Sequence, residues 1–151
     1  MPAASASDTQ TRIALRKVTF LKAMRVWVAE ALAAGKELLY CGDLNVAREL
    51  RDVHPKLQKI TQIGQTPEER EMLEAFLGEG LTDLGRALHP NDDELFTWWA
   101  PWRDQRKRNI GWRLDYVCAS KGFASRVQAC EVRREYGSSD HAPVVAVFGD
   151  E

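Results

Sequence analysis

Arg113-Leu114-Asp115-Tyr116-Val117-Cys118-Ala119 places one carboxylate inside the most strand-like run of the chain. Tyr, Val and Cys suit a pleated, buried surface, so an acid here is either paired with a neighbouring arginine or put to chemical use. Two other strand-like runs carry acids at their ends. Leu38-Leu39-Tyr40-Cys41 leads into Gly42-Asp43-Leu44-Asn45, and Ser139-Asp140-His141-Ala142-Pro143 leads into Val144–Phe148. Each acid taken singly has an ordinary reading: Asp43 a turn residue, Asp140 a cap, Asp115 an ion-pair partner. Three strand ends meeting in one cleft would instead gather carboxylates, an amide and an imidazole, the equipment for metal-assisted phosphodiester hydrolysis.

The surrounding pattern is that of an α/β (α+β) domain, with helices packed on a largely β framework. Ser7 or Asp8 can cap a helix reaching about Ala34, with Val18, Leu21, Met24 or Arg25, Val28 and Leu32 as its apolar stripe and Gly35 as its stop. The continuous apolar run to Cys41 predicts a strand covered on both faces. Residues 48–65 are polar and aperiodic, a long surface loop. Thr66-Pro67-Glu68-Glu69 predicts a helix start with a capping box, the helix running to about Leu77 before Gly78 and Gly80. Short strands are expected over Leu81–Leu84 and Phe96–Trp99, and fuller ones over Val127–Val132 and Val144–Phe148. The strands are few for a closed core, and a sheet lacking a neighbour leaves backbone unpaired at an edge.

The chain of 151 residues bounds the fold to a single domain spanning 1–151, with no second domain. A formal net charge of -1 excludes a uniformly basic nucleic-acid binder. Locally the balance differs: Trp98–Tyr136 holds nine Lys or Arg against four Asp or Glu, a face suited to a polyanion or simply a solvated surface. Cys41, Cys118 and Cys130 lack metal-ligand spacing and are expected as buried free thiols. No leader-like or membrane-spanning run is present in the sequence, so the expected location is cytoplasmic, without membrane partners.

The motifs together resemble the exonuclease III and abasic-site endonuclease branch of the endonuclease/exonuclease/phosphatase superfamily. The resemblance rests on Leu39–Ala47, on Asp52-Val53-His54-Pro55, on Phe96-Thr97-Trp98-Trp99, on Arg108-Asn109-Ile110-Gly111-Trp112-Arg113-Leu114-Asp115-Tyr116 and on Gly137–Pro143. It implies a Mg2+-dependent (or Mn2+-dependent) DNA-repair nuclease acting on double-stranded DNA at abasic sites or 3′ ends. By the same comparison Asp43 orients or deprotonates the attacking water, Asn45 and Asn109 hydrogen-bond phosphates, and Asp115 orients His141, which contacts the scissile phosphate. Asp140 would lie beside the metal, with Asp43 the other carboxylate on that side. Trp98, Trp112 and Leu114 match the pocket for a flipped abasic sugar. Strand alternation puts Trp98 and Trp99 on opposite faces, which makes Trp99 the core residue. Arg103, Arg106, Lys107 and Arg108 are placed to grip phosphates, whereas His54 and His89 are loop residues.

The chain departs from the family in length. The resemblance covers the C-terminal half of a four-layered α/β sandwich of the DNase I-like type, with a mixed sheet and flanking helices. The N-terminal strand, the metal-ligating Glu segment and the catalytic Tyr-x-Pro motif are absent from it. Three readings follow: a truncated nuclease with impaired or no activity alone, a non-catalytic DNA- or partner-binding relic, and a phosphoesterase of another branch. The uncovered sheet is expected to favour self-association or pairing with an N-terminal half.

Overall fold

The computed structural model describes residues 6–150. A long helix α1 (Ala6–Ala33) opens the chain. Val18, Leu21 and Val28 are buried along one side of it, with Met24 and Leu32 packed against the same core. The Ser7 side chain lies outside what the structure describes. Gly35, at φ +75°, ends the helix through a paired motif: Gly35 N donates to Leu32 O at 2.9 Å and Lys36 N to Ala31 O at 3.0 Å.

Strand β1 (Leu39–Asp43) follows, then two single 3-10 turns (Leu50–Asp52 and Pro55–Leu57) within the expected loop. Helix α2 (Pro67–Gly78) starts on the expected capping box, Thr66 Oγ1 accepting from Glu69 N while Glu69 accepts from Thr66 N, each at 3.3 Å. Strand β2 (Thr82–Asp83) is shorter than the expected Leu81–Leu84 run, because Asp83 caps helix α3 (Leu84–Leu88) by accepting from Arg86 N. Strand β3 (Asp115–Ala119), helix α4 (Lys121–Ala124) and strands β4 (Val127–Val132) and β5 (Val144–Phe148) complete the chain.

All these strands pair antiparallel, in a three-stranded sheet of order β1-β3-β2 and a β4-β5 ribbon. Alternation along β3 divides the interior. Tyr116 and Cys118 face α1 and α2, together with Leu73, Phe76 and Leu44. Val117 and Ala119 face the ribbon, with Leu84 and Cys130. Helices, sheet and ribbon are therefore successive layers around β3.

β1 differs from expectation. Its burial alternates, with Leu39, Cys41 and Asp43 open and Leu38 and Tyr40 turned to the helices. It is the edge strand, and the ribbon packs over β3 without covering it. Cys41 is exposed for the same reason, whereas Cys118 and Cys130 are buried; all three are free thiols. Phe96–Trp99 is extended but joins its neighbours only through isolated bridges, Trp98 pairing with both Trp112 and His141. Among the described residues no helix is long and apolar enough to cross a membrane.

Candidate active site

Antiparallel register sets Asp43 directly opposite Asp115, at the end where β1 and β3 both open into loops. The bridge from Trp98 to His141 then brings the Ser139–Pro143 segment beside them. His141 Nδ1 lies 2.9 Å from Asp115 Oδ2, and its Nε2 lies 4.0 Å from Asp43 Oδ2. The three side chains remain 19–31% exposed, enough for a substrate to reach them. With Nδ1 bound to a carboxylate, the ring presents Nε2 towards Asp43.

Asp43 and Asn45 form one unit. Asn45 N donates to Asp43 Oδ1 at 2.7 Å and Asn45 Nδ2 to Asp43 Oδ2 at 2.8 Å. This requires the left-handed turn at Asn45, φ +52°, which asparagine tolerates better than most residues. Lys17 of α1 steadies the turn by donating to Asn45 O at 2.8 Å while pairing with Glu69 at 2.6 Å. Burial raises the Asp43 carboxyl above its ordinary value, and the charge of Asp115 adds to this. The hydrogen bonds from Asn45 and the nearness of His141 oppose it.

Thr97, which the sequence motifs do not single out, holds Asp115. Its Oγ1 donates to Asp115 Oδ2 at 2.6 Å and accepts from Leu114 N at 2.9 Å and Asp115 N at 3.1 Å. A polar residue in an otherwise aromatic run, Phe96-Thr97-Trp98-Trp99, was the available sign. Beneath this, Arg113 pairs with Asp52 at 2.8 Å and with Asp83 at 2.8 Å, all three buried. Burial pushes the Asp52 carboxyl up, but Arg113 and Arg86 outweigh it and hold it below the ordinary carboxylate range. The predicted surface loop 48–65 thus buries its most polar residue, because Asp52 is the counter-ion of the strand carrying Asp115.

Trp98, Trp112 and Leu114 come together with Ala47 and Val53 in one apolar cluster, the two indoles edge-to-face at 6.0 Å between centroids. Trp99 is 1% exposed and is the core member of the Trp98–Trp99 pair, as expected. Trp98 also donates its indole N–H to Asp140 Oδ2 at 3.0 Å, which lowers the Asp140 carboxyl from its ordinary value. Asn109 accepts from the Trp99 indole at 3.2 Å, and its own amide nitrogen is buried with no partner among the described residues. Arg103 and Arg108 are exposed and unpaired among the described residues. Lys107 stands 3.5 Å from Asp104, and Arg106 is turned inward onto backbone carbonyls. His54 caps the second 3-10 turn, and His89 contacts Cys130 O; neither joins the site.

The donors do not enclose a cation. Among the described residues no group of three His, Cys, Asp or Glu side chains is placed to hold a metal ion. Asp140 is tied to Trp98, and the Asp115 oxygen facing His141 is already doubly bonded. Asp43 and Asp140 therefore do not make a closed metal site by themselves.

Comparison with known proteins bears on the family and the fold. The chain is 37% identical over 113 residues to the DNA repair nuclease APEX1 of Danio rerio, covering 75% of this chain and 36% of that protein. Its fold superposes on an AP endonuclease from Archaeoglobus fulgidus with a TM-score of 0.78 at 29% identity, covering 89% of this chain and 54% of that one. It also superposes on a 3′ phosphatase from Neisseria bound to product DNA hairpin, with a TM-score of 0.80 at 27% identity, covering 87% and 52% respectively. The chain thus spans between about a third and about half of the length of these relatives. Residues 7–141 match the Endonuclease/Exonuclease/phosphatase family, and the chain belongs to that family.

Proposed function

We propose that this chain carries the phosphate-handling half of a Mg2+-dependent DNA-repair nuclease, which hydrolyses phosphodiesters of double-stranded DNA at abasic sites or 3′ ends. The observation that carries the reading is His141 held at 2.9 Å by Asp115 with its other ring nitrogen turned towards Asp43.

Phosphodiester hydrolysis needs a base for water and positive or donor groups around the non-bridging oxygens. Asp43, its carboxyl raised by burial, takes the proton from the attacking water as that oxygen forms the new bond to phosphorus. Asn45 keeps the carboxylate aligned and offers its remaining amide hydrogen to the phosphate. His141, fixed by Asp115, donates from Nε2 to a phosphate oxygen as charge develops there, and the departing oxygen is protonated from solvent. Asn109 hydrogen-bonds a neighbouring phosphate once its amide, buried beside Trp99 in this structure, turns outward, with Arg103 and Arg108 along the backbone. Trp98, Trp112 and Leu114 form the apolar wall against which a base-less sugar rests.

Mg2+, with Mn2+ as a substitute, supplies charge neutralisation at the phosphate when bound. Asp140 and Asp43 are its nearest carboxylates in this proposal; since the described residues form no cage, no step above is routed through it. The open edge of β1, with Leu39 42% exposed, suits self-association or pairing with an N-terminal half, and weak activity of the chain alone belongs to the same proposal. Free thiols and the lack of a membrane-crossing helix among the described residues suit a cytoplasmic setting.

The test is incision of a duplex containing a synthetic abasic site, with Mg2+, by the purified chain and by Asp43→Ala. Incision that disappears in the variant supports the proposal. Binding without incision favours a non-catalytic DNA-binding role, and preferential cleavage of a phosphoinositide favours another branch of the superfamily.

A further inference from the structure

Arg106 has an unusual set of partners for a residue in a basic loop. Its Nε and Nη2 donate to Arg134 O at 3.2 and 2.9 Å, and Nη2 also reaches Tyr136 O at 2.7 Å. Nη1 donates to Ser139 O and stands 3.4 Å from His141 O. The guanidinium lies over the Trp99 ring, 5.1 Å from its centroid. It therefore faces four carbonyls and one buried indole, and among the described residues it has no carboxylate partner.

The segment it binds needs such a partner. Residues 133–140 are all exposed, turn through Gly137 at φ +79°, and bury no apolar side chain that would fix their position. The C-terminal end is held by backbone bonds, Trp99 N to Asp140 O at 3.0 Å and Ala142 N to Thr97 O at 2.8 Å. Besides Arg106, the stretch from Arg134 to Ser139 has among the described residues only local bonds: Tyr136 N to Arg133 O at 3.2 Å, His141 N to Ser139 Oγ at 3.2 Å and Ser139 Oγ to Asp140 Oδ1 at 3.4 Å. The loop that supplies Arg106 is itself held in a costly shape: Arg103, Asp104 and Asn109 have φ of +56°, +51° and +49°. Three non-glycine residues in the left-handed region persist only where surrounding contacts fix them.

We infer that Arg106 is a positioning residue, a clamp that locks the loop carrying Asp140 and His141 onto the basic loop carrying Arg103, Arg108 and Asn109. Five donors in a rigid fork match a set of convergent carbonyls, which a lysine ammonium on a flexible stem does not. The two loops form one body, so DNA phosphates held by the basic loop are registered against His141. That consequence rests on the functional reading above; the clamp itself does not.

The test uses the full chain with Arg106→Ala and Arg106→Lys, read by amide hydrogen exchange and by the NMR resonance of the His141 Nδ1–H bonded to Asp115. In both variants exchange at the hydrogen-bonded amides on and beside the loop, those of Tyr136, His141 and Trp99, is expected to rise by about tenfold or more, the equivalent of one lost charged hydrogen bond or more. Amides of β1 and β3 keep their protection, and the Nδ1–H resonance broadens or vanishes. Free guanidinium at sub-denaturing concentration restores both signals in Arg106→Ala. Unchanged loop exchange, full rescue by lysine, or an unaltered His141 resonance would each overturn the clamp. None of these readouts requires incision, so a parent chain that does not incise, beside Arg106 variants with a loosened loop, counts against the nuclease proposal and leaves the clamp standing.

Discussion

Thr97 Oγ1 donates to the same Asp115 oxygen that binds His141, at 2.6 Å. That oxygen accepts from hydroxyl and imidazole together, so the orientation of the ring depends on a carboxylate that is itself oriented by a neighbouring segment. Thr97→Val removes the hydroxyl while keeping the β-branched shape. It leaves the amides of Leu114 and Asp115 and one carboxylate lone pair without their partner, a cost of about 1–3 kcal/mol for a buried polar group. The expected outcome is a lower denaturation midpoint together with a weakened His141 Nδ1–H resonance. Asp115→Asn should keep the fold but lose incision by about 10²–10⁴-fold, because an amide in place of the carboxylate can select the wrong imidazole tautomer. Unchanged incision in Asp115→Asn would separate Asp115 from the chemistry.

The acid limb of the pH–rate profile should follow Asp43. Its carboxyl is raised by burial and by Asp115, so the basic form is lost as pH falls through this raised value, above that of a free aspartate. Asn45→Ala removes one of the hydrogen bonds that hold the value down. The limb should therefore move to higher pH, whatever happens to the plateau height. A limb that stays in place or moves to lower pH would show that another group controls it.

Asp52 tests the foundation of the site. Its replacement by alanine takes from buried Arg113 one of its two carboxylate partners and from Arg86 its nearest one, and should destabilise the chain by about 3–5 kcal/mol, read from urea denaturation at neutral pH. The sign with pH follows from a folded-state value held below the unfolded one. The stabilisation is complete above the unfolded carboxylate value and is lost as pH falls through the depressed folded value. The difference between Asp52→Ala and the parent should accordingly shrink in acid.

Arg103→Ala and Arg108→Ala should each weaken duplex binding without regard to sequence and reduce the slope of log affinity against log salt by about 1. Both side chains are exposed and unpaired among the described residues. Retention of the parental salt slope by both variants would remove them from the DNA path.

What was legible beforehand was what depends on near neighbours. The stripe of α1, the Gly35 stop and the capping box of Thr66 and Glu69 are set within one or two turns, and each is present. The apolar run to Cys41 was open to misreading, since coverage of a strand's second face depends on where the distant β4-β5 ribbon docks. Asp52 looked like a loop residue because its partners, Arg86 and Arg113, lie 34 and 61 positions away. Local charge counting could mark the 103–108 segment as basic but could not tell that Arg106 faces carbonyls while Arg103 and Arg108 face solvent. The motifs marked Asp43, Asn45, Asp115 and His141, and the register of β1 against β3 together with the Trp98–His141 bridge accounts for their meeting.

In the proposed function Asp43 drives hydrolysis beside the Asp115–His141 pair. Single-turnover incision of an abasic-site duplex, with DNA affinity measured in the same samples, tests it most directly. Asp43→Ala is expected to bind the duplex as the parent does while its incision rate falls by about 10²-fold or more. Equal incision rates in parent and variant would contradict it.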